Sequence, residues 1–302
     1  MDQTIGRNGL VIPAVAFGTA PLATVFWGNE ETRAAAALDR ALERGVRFFD
    51  TAPLYGLGEA EQRLGRALAR HGSPDVVVAT KFGRSLVGEG PDRVAAFDFS
   101  YDAVHRSLEA SLRRLGRSAI EIAHVHDPDD HLRESIEGTY RALAELRDQG
   151  VISAVSVGTN RPSTVDFYVK EADLDCALLA GRWTLLDRTG GEVLEECRAR
   201  KVPVLAGGVF NSGILASAHA GSWFDYAAAD SGIIERALAL AAACERHGTD
   251  LRTTAIQFPL RHPAVAAVVL GMSSAAEVDD NLVSLKATTT AALWSDMDLG
   301  HD

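Results

Sequence analysis

The chain has 302 residues, of which 47% are hydrophobic and 24% charged, so it is long enough for one large core or two small ones. A net charge of −11 excludes the basic stripe that nucleic acid requires and disfavours an anionic membrane surface. Cys176, Cys197 and Cys244 are too widely spaced for a disulfide framework or a zinc knuckle, and no metal is expected.

In chain order, the polar start Met1 to Asn8 lacks the apolar run of a signal peptide. The longest apolar run, Ala264 to Leu270, is too short to span a bilayer, so a cytoplasmic location is expected. Strand-like runs follow at Ala14–Gly18, Val46–Phe49, Val76–Thr80 and Ile120–Val125, then at Val151–Val157, Cys176–Ala180, Val202–Ala206 and Val265–Leu270. Between them lie amphipathic stretches at Glu31–Arg44, Glu59–Arg70, Tyr101–Leu115, Leu132–Gln149, Thr164–Glu171, Gly191–Arg200 and Gly232–Arg246, with Ala275–Leu285 after the last strand. In Tyr101–Leu115, Val104, Leu108, Leu112 and Leu115 form one helical stripe. Arg44-Gly45 and Gln149-Gly150 mark helix stops. The strand runs are apolar on both faces, as parallel strands covered by helices are. Eight such units predict a single (β/α)8 TIM barrel over 1–302. The alternative, a doubly wound dinucleotide fold, lacks a G-x-G-x-x-G motif between its first strand and helix.

Four chemically active residues sit at or just past successive strand ends: Asp50, Tyr55, Lys81 and His126. Parallel neighbouring strands bring such residues to the C-terminal mouth of a barrel. A phenol has a pKa near 10, and an adjacent ammonium lowers it. A carboxylate would hold the Lys81 ammonium in place, and an imidazole would orient a substrate oxygen. Together these groups form an acid–base site for moving a proton on an oxygen. His124 shares a strand face with His126 and is read as a barrel-interior residue behind the site.

Gly45-Val46-Arg47-Phe48-Phe49-Asp50-Thr51-Ala52-Pro53-Leu54-Tyr55-Gly56, followed by Glu59 and Leu64-Gly65, resembles the signature of the aldo-keto reductase superfamily. Lys81 and His126-Asp127-Pro128 then fall where that family places them. The resemblance implies a nicotinamide dinucleotide across the barrel mouth, Tyr55 as the acid–base residue, Lys81 and Asp50 tuning it, and His126 orienting the substrate.

Three further segments resemble the sugar-dehydrogenase branch, which includes L-fucose (D-threo-aldose) 1-dehydrogenases and L-galactose dehydrogenases. They are Phe97 to Asp102, Gly181 to Leu186 and Gly207 to Leu215. By this resemblance Thr159 and Asn160 are candidates to hold the nicotinamide amide, and Gly207, Val209, Asn211 and Gly213 face the cofactor. Gly207 stands where many members stack an aromatic, leaving Phe210 or Trp183 as possible covers, with Trp183 equally readable as packing. Gly271, Ser273, Glu277 and Asn281 resemble the adenosine end of the site. Acidic Glu277 in place of a basic 2′-phosphate clamp implies NAD in preference to NADP. Trp27, Trp183 and Phe26 are candidate pocket walls, and Asp127 or Asn211 candidate partners of sugar hydroxyls.

The reading is an NAD-dependent sugar 1-dehydrogenase acting as a monomer or small homo-oligomer. An NADPH-dependent aldehyde or ketone reductase, a pyridoxal-type dehydrogenase and a nucleotide-sensing regulatory subunit are the alternatives.

Overall fold

A computed structural model of the chain describes residues 2–24, 28, 30–73, 75–87 and 94–299. Phe26 and Trp27 lie outside the described residues. The eight expected runs become β1 (Val15–Gly18), β2 (Phe48–Asp50), β3 (Val77–Phe82), β4 (Ile122–His126), β5 (Ala154–Thr159), β6 (Cys176–Ala180), β7 (Val204–Gly207) and β8 (Val265–Gly271). They are all parallel and pair in chain order, and β8 closes on β1 from Val268↔Val15 to Gly271↔Gly18.

Alternation along each strand sorts its residues into two layers. Phe48, Ala79, Ile122 and Cys176 point inward to the barrel core. Phe49, Val78, Ala123 and Val125 pack outward against the helices. Asp50 therefore follows Phe48 to the inside, Lys81 follows Ala79, and His124 and His126 follow Ile122. Register aligns these inward positions, with Asp50 opposite Ala79 and Lys81 opposite His124. An antiparallel hairpin, Gln3–Ile5 with Leu10–Ile12, closes the opposite end, burying Ile5 and Ile12 in the same inner core.

The outer ring comprises α1 (Glu31–Glu43), α2 (Glu59–Arg70), α3 (Tyr101–Leu115), α4 (132–148), α5 (Pro162–Glu171), α6 (Gly191–Arg200), α7 (Ser231–Arg246), α8 (Leu251–Gln257), α9 (Ala275–Lys286) and α10 (Ala291–Leu299). One π turn, Ile136–Tyr140, interrupts α4. There the Phe99 carbonyl comes so close that a Cβ on Gly138 would lie 2.1 Å from its oxygen, and the Thr139 hydroxyl donates to it at 2.9 Å. Two excursions were not legible as strands. Arg84–Val87 pairs with Val94–Phe97 after β3, and Trp223–Phe224 pairs with Ala227–Ala228 between β7 and α7.

Candidate active site

The ends of β2, β3 and β4 bring the expected residues together. Lys81 Nζ donates to Asp50 Oδ1 at 2.5 Å and to the Thr51 carbonyl at 2.9 Å. Both side chains of the pair are almost wholly buried. The same ammonium sits 4.9 Å from the centroid of the Tyr55 ring. Tyr55 and His126 meet edge to face, with centroids 6.2 Å apart at 90°. His126 Nε2 is 3.6 Å from Asp127 Oδ2, and that carboxylate pairs with Arg84 Nη1 at 2.6 Å. His124 is fully buried behind the site, its Nε2 3.4 Å from Asp50 Oδ2, longer than a good N–H···O bond.

Burial dominates the electrostatics. Removal from water pushes the Tyr55 phenol up to about 12, although the Lys81 charge opposes the change. The sequence reading had the ammonium lowering this pKa; in the structure desolvation outweighs it. Burial opposes the charge on Lys81 as well, yet Asp50 and Tyr55 hold its pKa above the ordinary lysine value. Asp50 is likewise held below the ordinary carboxylate range, Lys81 and His124 overcoming its desolvation. His126 falls well below its usual 6.5, through burial first and then the Lys81 and Arg84 charges. At neutral pH the site therefore presents a protonated phenol, an ion pair behind it, and a neutral imidazole that can donate one N–H. That set delivers a proton to an oxygen or, once the phenol is ionised, removes one.

Beside Asp50 and Tyr55 opens a cavity of about 510 Å³ that extends past β7 and β8 to the start of α9. Its size falls within the range of cofactor pockets. Among its lining residues are Gly207, Val209, Asn211, Gly213, Gly271, Ser273, Glu277 and Asn281. Asn211 is 4% exposed, and its amide donates to the Gly181 carbonyl at 3.2 Å while its Oδ1 has no partner among the described residues. A buried acceptor left open at a cavity wall suits a hydrogen-bonding ligand. Gly208, at φ 61°, also lines it; a Cβ there would lie 2.9 Å from Gly181 N.

The fold and site match known proteins. Residues 14–299 match the model of the aldo/keto reductase family. The chain belongs to the aldo/keto reductase family. It is 35% identical to a pyridoxal 4-dehydrogenase of Microbacterium luteolum, with 97% of this chain and 95% of that one covered. It is 33% identical to a D-threo-aldose 1-dehydrogenase of a Pseudomonas species, covering 98% and 96%. The holo structure of an aldo-keto reductase from Bacillus halodurans superposes with a TM-score of 0.82 at 26% identity, covering 99% of this chain and 95% of that one. The relatives are consistent with the sugar-dehydrogenase branch, and aldo-keto reductases use nicotinamide cofactors.

In this aldo-keto reductase the other expected residues stand apart from the cavity lining. The Thr159 hydroxyl donates to Asp129 Oδ1 at 2.7 Å and accepts from Arg161 N at 3.0 Å, so its bonds are already made within the protein. Asn160 gives its carbonyl to Arg182 Nε at 3.0 Å. Trp183 packs on Phe258 and His262, with centroids 5.4 and 5.3 Å away. Asp127, at φ 44°, holds Arg84 beside His126. Among the described residues, no group of three metal-ligating side chains occurs and no helix is long and apolar enough to cross a membrane.

Sequence reasoning missed Arg33, Arg252 and Tyr226, all of which line the cavity. Arg33 comes from α1 and donates to Ser273 O and Oγ, each at 3.2 Å. Arg252 comes from α8 and donates to Asn281 Oδ1 at 2.9 Å. The end of the cavity at α9 thus has cations, supplied by helices distant in sequence. No local motif marks them.

Proposed function

We propose that this aldo-keto reductase is an NAD-dependent dehydrogenase that oxidises the C1 hydroxyl of an aldose, such as L-fucose, L-galactose or D-arabinose, to the lactone. The observation that carries the reading is the buried Asp50–Lys81 pair under Tyr55, with neutral His126 edge-on to the same ring. The 33% identity to a D-threo-aldose 1-dehydrogenase supports the sugar. Bound dinucleotide supplies the hydride acceptor. The protein's part is to hold the alcohol oxygen between Tyr55 and His126 and to take its proton at the Tyr55 oxygen. His126, held neutral, orients that oxygen through an N–H. Asp127 and Arg84, adjoining His126, are the polar groups proposed to meet the sugar's other hydroxyls.

NAD rather than NADP is proposed from the start of α9. Glu277 accepts from Ser273 N at 2.7 Å and from Ser273 Oγ at 2.8 Å, with Arg33 Nη2 3.8 Å away. A carboxylate therefore already occupies the donors that a 2′-phosphate would seek, and its negative charge offsets the positive charge of Arg33. Gly207, Val209, Asn211 and Gly213 are proposed to hold the middle of the dinucleotide, and Gly271, Ser273 and Asn281 its adenosine end. The backbone N–H groups of a helix start suit such anionic or polar groups.

Pyridoxal is the second reading, favoured by the 35% identity to a pyridoxal 4-dehydrogenase. Its cyclic hemiacetal presents a hydroxyl equivalent to the anomeric one. Formation of NADH or NADPH from each sugar and from pyridoxal separates these readings. Fast NADPH-driven aldehyde reduction with no oxidation of any alcohol by NAD would overturn both. Tyr55→Phe should abolish turnover while leaving NAD binding measurable.

A further inference from the structure

The hairpin between β7 and α7 turns at Asp225 and Tyr226, with φ of 50° and 66°. A two-residue turn with both centres left-handed ordinarily takes Asn-Gly or Asp-Gly, because a Cβ in that region costs about 1–2 kcal/mol. A tyrosine in the second position is therefore held there by its surroundings. The surroundings are visible. Arg182 Nη2 pairs with Asp225 Oδ2 at 2.8 Å, and its Nε donates to the Asn160 carbonyl at 3.0 Å. Tyr226 N donates to Ser212 Oγ at 2.9 Å, fixing the tip to the loop after β7. Phe224 packs into the apolar cluster beneath α7.

What this bracing presents is a ring with no work inside the fold. Tyr226 is 65% exposed, its hydroxyl has no partner among the described residues, and yet it lines the cavity with Tyr55. Although the residue as a whole is open to solvent, its phenol is pushed up by local desolvation first and then by the Asp127 and Asp225 carboxylates. Of the other aromatics expected to cover the site, Trp183 is engaged on Phe258, whereas Phe210 lines the same cavity with Arg252 over its ring at 5.8 Å.

We propose that Tyr226 caps the bound substrate, its ring stacking on a six-membered ring and so setting a preference for cyclic over open-chain alcohols. The flat face of an aromatic ring carries negative potential, which suits the weakly positive C–H face of a pyranose. A pyridine ring offers a stacking partner of the same outline. The cap goes beyond the proposed aldose oxidation, and either source of ring would use it.

The test compares Tyr226→Ala and Tyr226→Phe with the parent enzyme. KM and kcat are measured with NAD for L-fucose, pyridoxal and open-chain glycerol, and NAD affinity by quenching of protein fluorescence. In Tyr226→Ala, kcat/KM for the ring substrate relative to glycerol should fall about tenfold, carried by KM. Tyr226→Phe should retain the parent ratio, since the stacking face remains. An unchanged ratio in Tyr226→Ala overturns the cap. So does an NAD affinity that falls by the same factor as the ring KM, or a phenylalanine variant as impaired as the alanine one. Oxidation of pyridoxal but no aldose would sink the aldose reading while the cap is still judged on pyridoxal. A parent enzyme that oxidises glycerol and neither ring compound would sink both.

Discussion

Replacing Lys81 by methionine separates the two things that this side chain does. Its ammonium lies 4.9 Å from the Tyr55 ring centroid, and at an effective dielectric of about 20 a unit charge pair at that distance attracts by about 3 kcal/mol. Removing it should cut the phenolate population of Tyr55 by roughly a hundred- to a thousandfold. Alcohol oxidation at neutral pH, followed as NADH formation, should lose kcat/KM by a similar factor. The substitution also strands Asp50, a buried carboxylate, which costs about 3–5 kcal/mol of stability. Adding Asp50→Asn should therefore restore much of the stability, read by denaturant unfolding, without restoring turnover. A single variant within tenfold of the parent rate, or a double variant that recovers rate together with stability, would refute the assignment of Lys81 to tuning Tyr55.

The remaining expectations are simpler to read. Because burial pushes the Tyr55 phenol to about 12, kcat/KM for oxidation should rise by about tenfold per pH unit from neutral to mildly alkaline pH. A plateau beginning near neutrality would contradict that. His124 and His126 both titrate below 6.5 in the folded chain, so the unfolded chain takes up their protons first as pH falls. Stability should therefore hold above about pH 6.5 and decline below it by up to about 1.4 kcal/mol per pH unit per imidazole, a slope that His124→Leu should reduce in thermal melts. Glu277→Gln removes the carboxylate charge beside Ser273 and Arg33 and should raise kcat/KM for NADP by about tenfold or more, with NAD much less affected. Gly83 sits at φ 100°, and a Cβ there would lie 2.2 Å from the Phe99 ring, so Gly83→Ala should cost about 2–5 kcal/mol in unfolding experiments.

The barrel was legible because its strands are apolar on both faces and its helices are periodic; Tyr101–Leu115 coincides with α3 to the residue. Asp50, Lys81 and His126 were legible for the same reason, each lying at a run's end, and Tyr55 follows in the next turn. The hairpins at 84–97 and 223–228 were not, since two to four residues per strand carry no readable alternation and Asp225-Tyr226 lacks the usual turn glycine. The direction of the Tyr55 shift was also hidden. The sequence shows the ammonium nearby but not the loss of water, and the second effect is the larger. Arg33 and Arg252 escaped because convergence of α1, α8 and α9 is a property of the closed ring, not of any segment.

That closure has a consequence for how the protein is made. β8 completes the ring by hydrogen-bonding to β1, which leaves the ribosome some 250 residues earlier. Until β8 emerges, β1 and β7 both carry open edges, which invite pairing with other chains. The Asp50–Lys81 side of the site is synthesised with β2 and β3, whereas Gly271, Ser273 and Glu277 arrive only with β8 and α9. A dinucleotide that needs both sides can grip only a finished ring, and once bound it would favour the ring over every shorter or partly opened form by mass action.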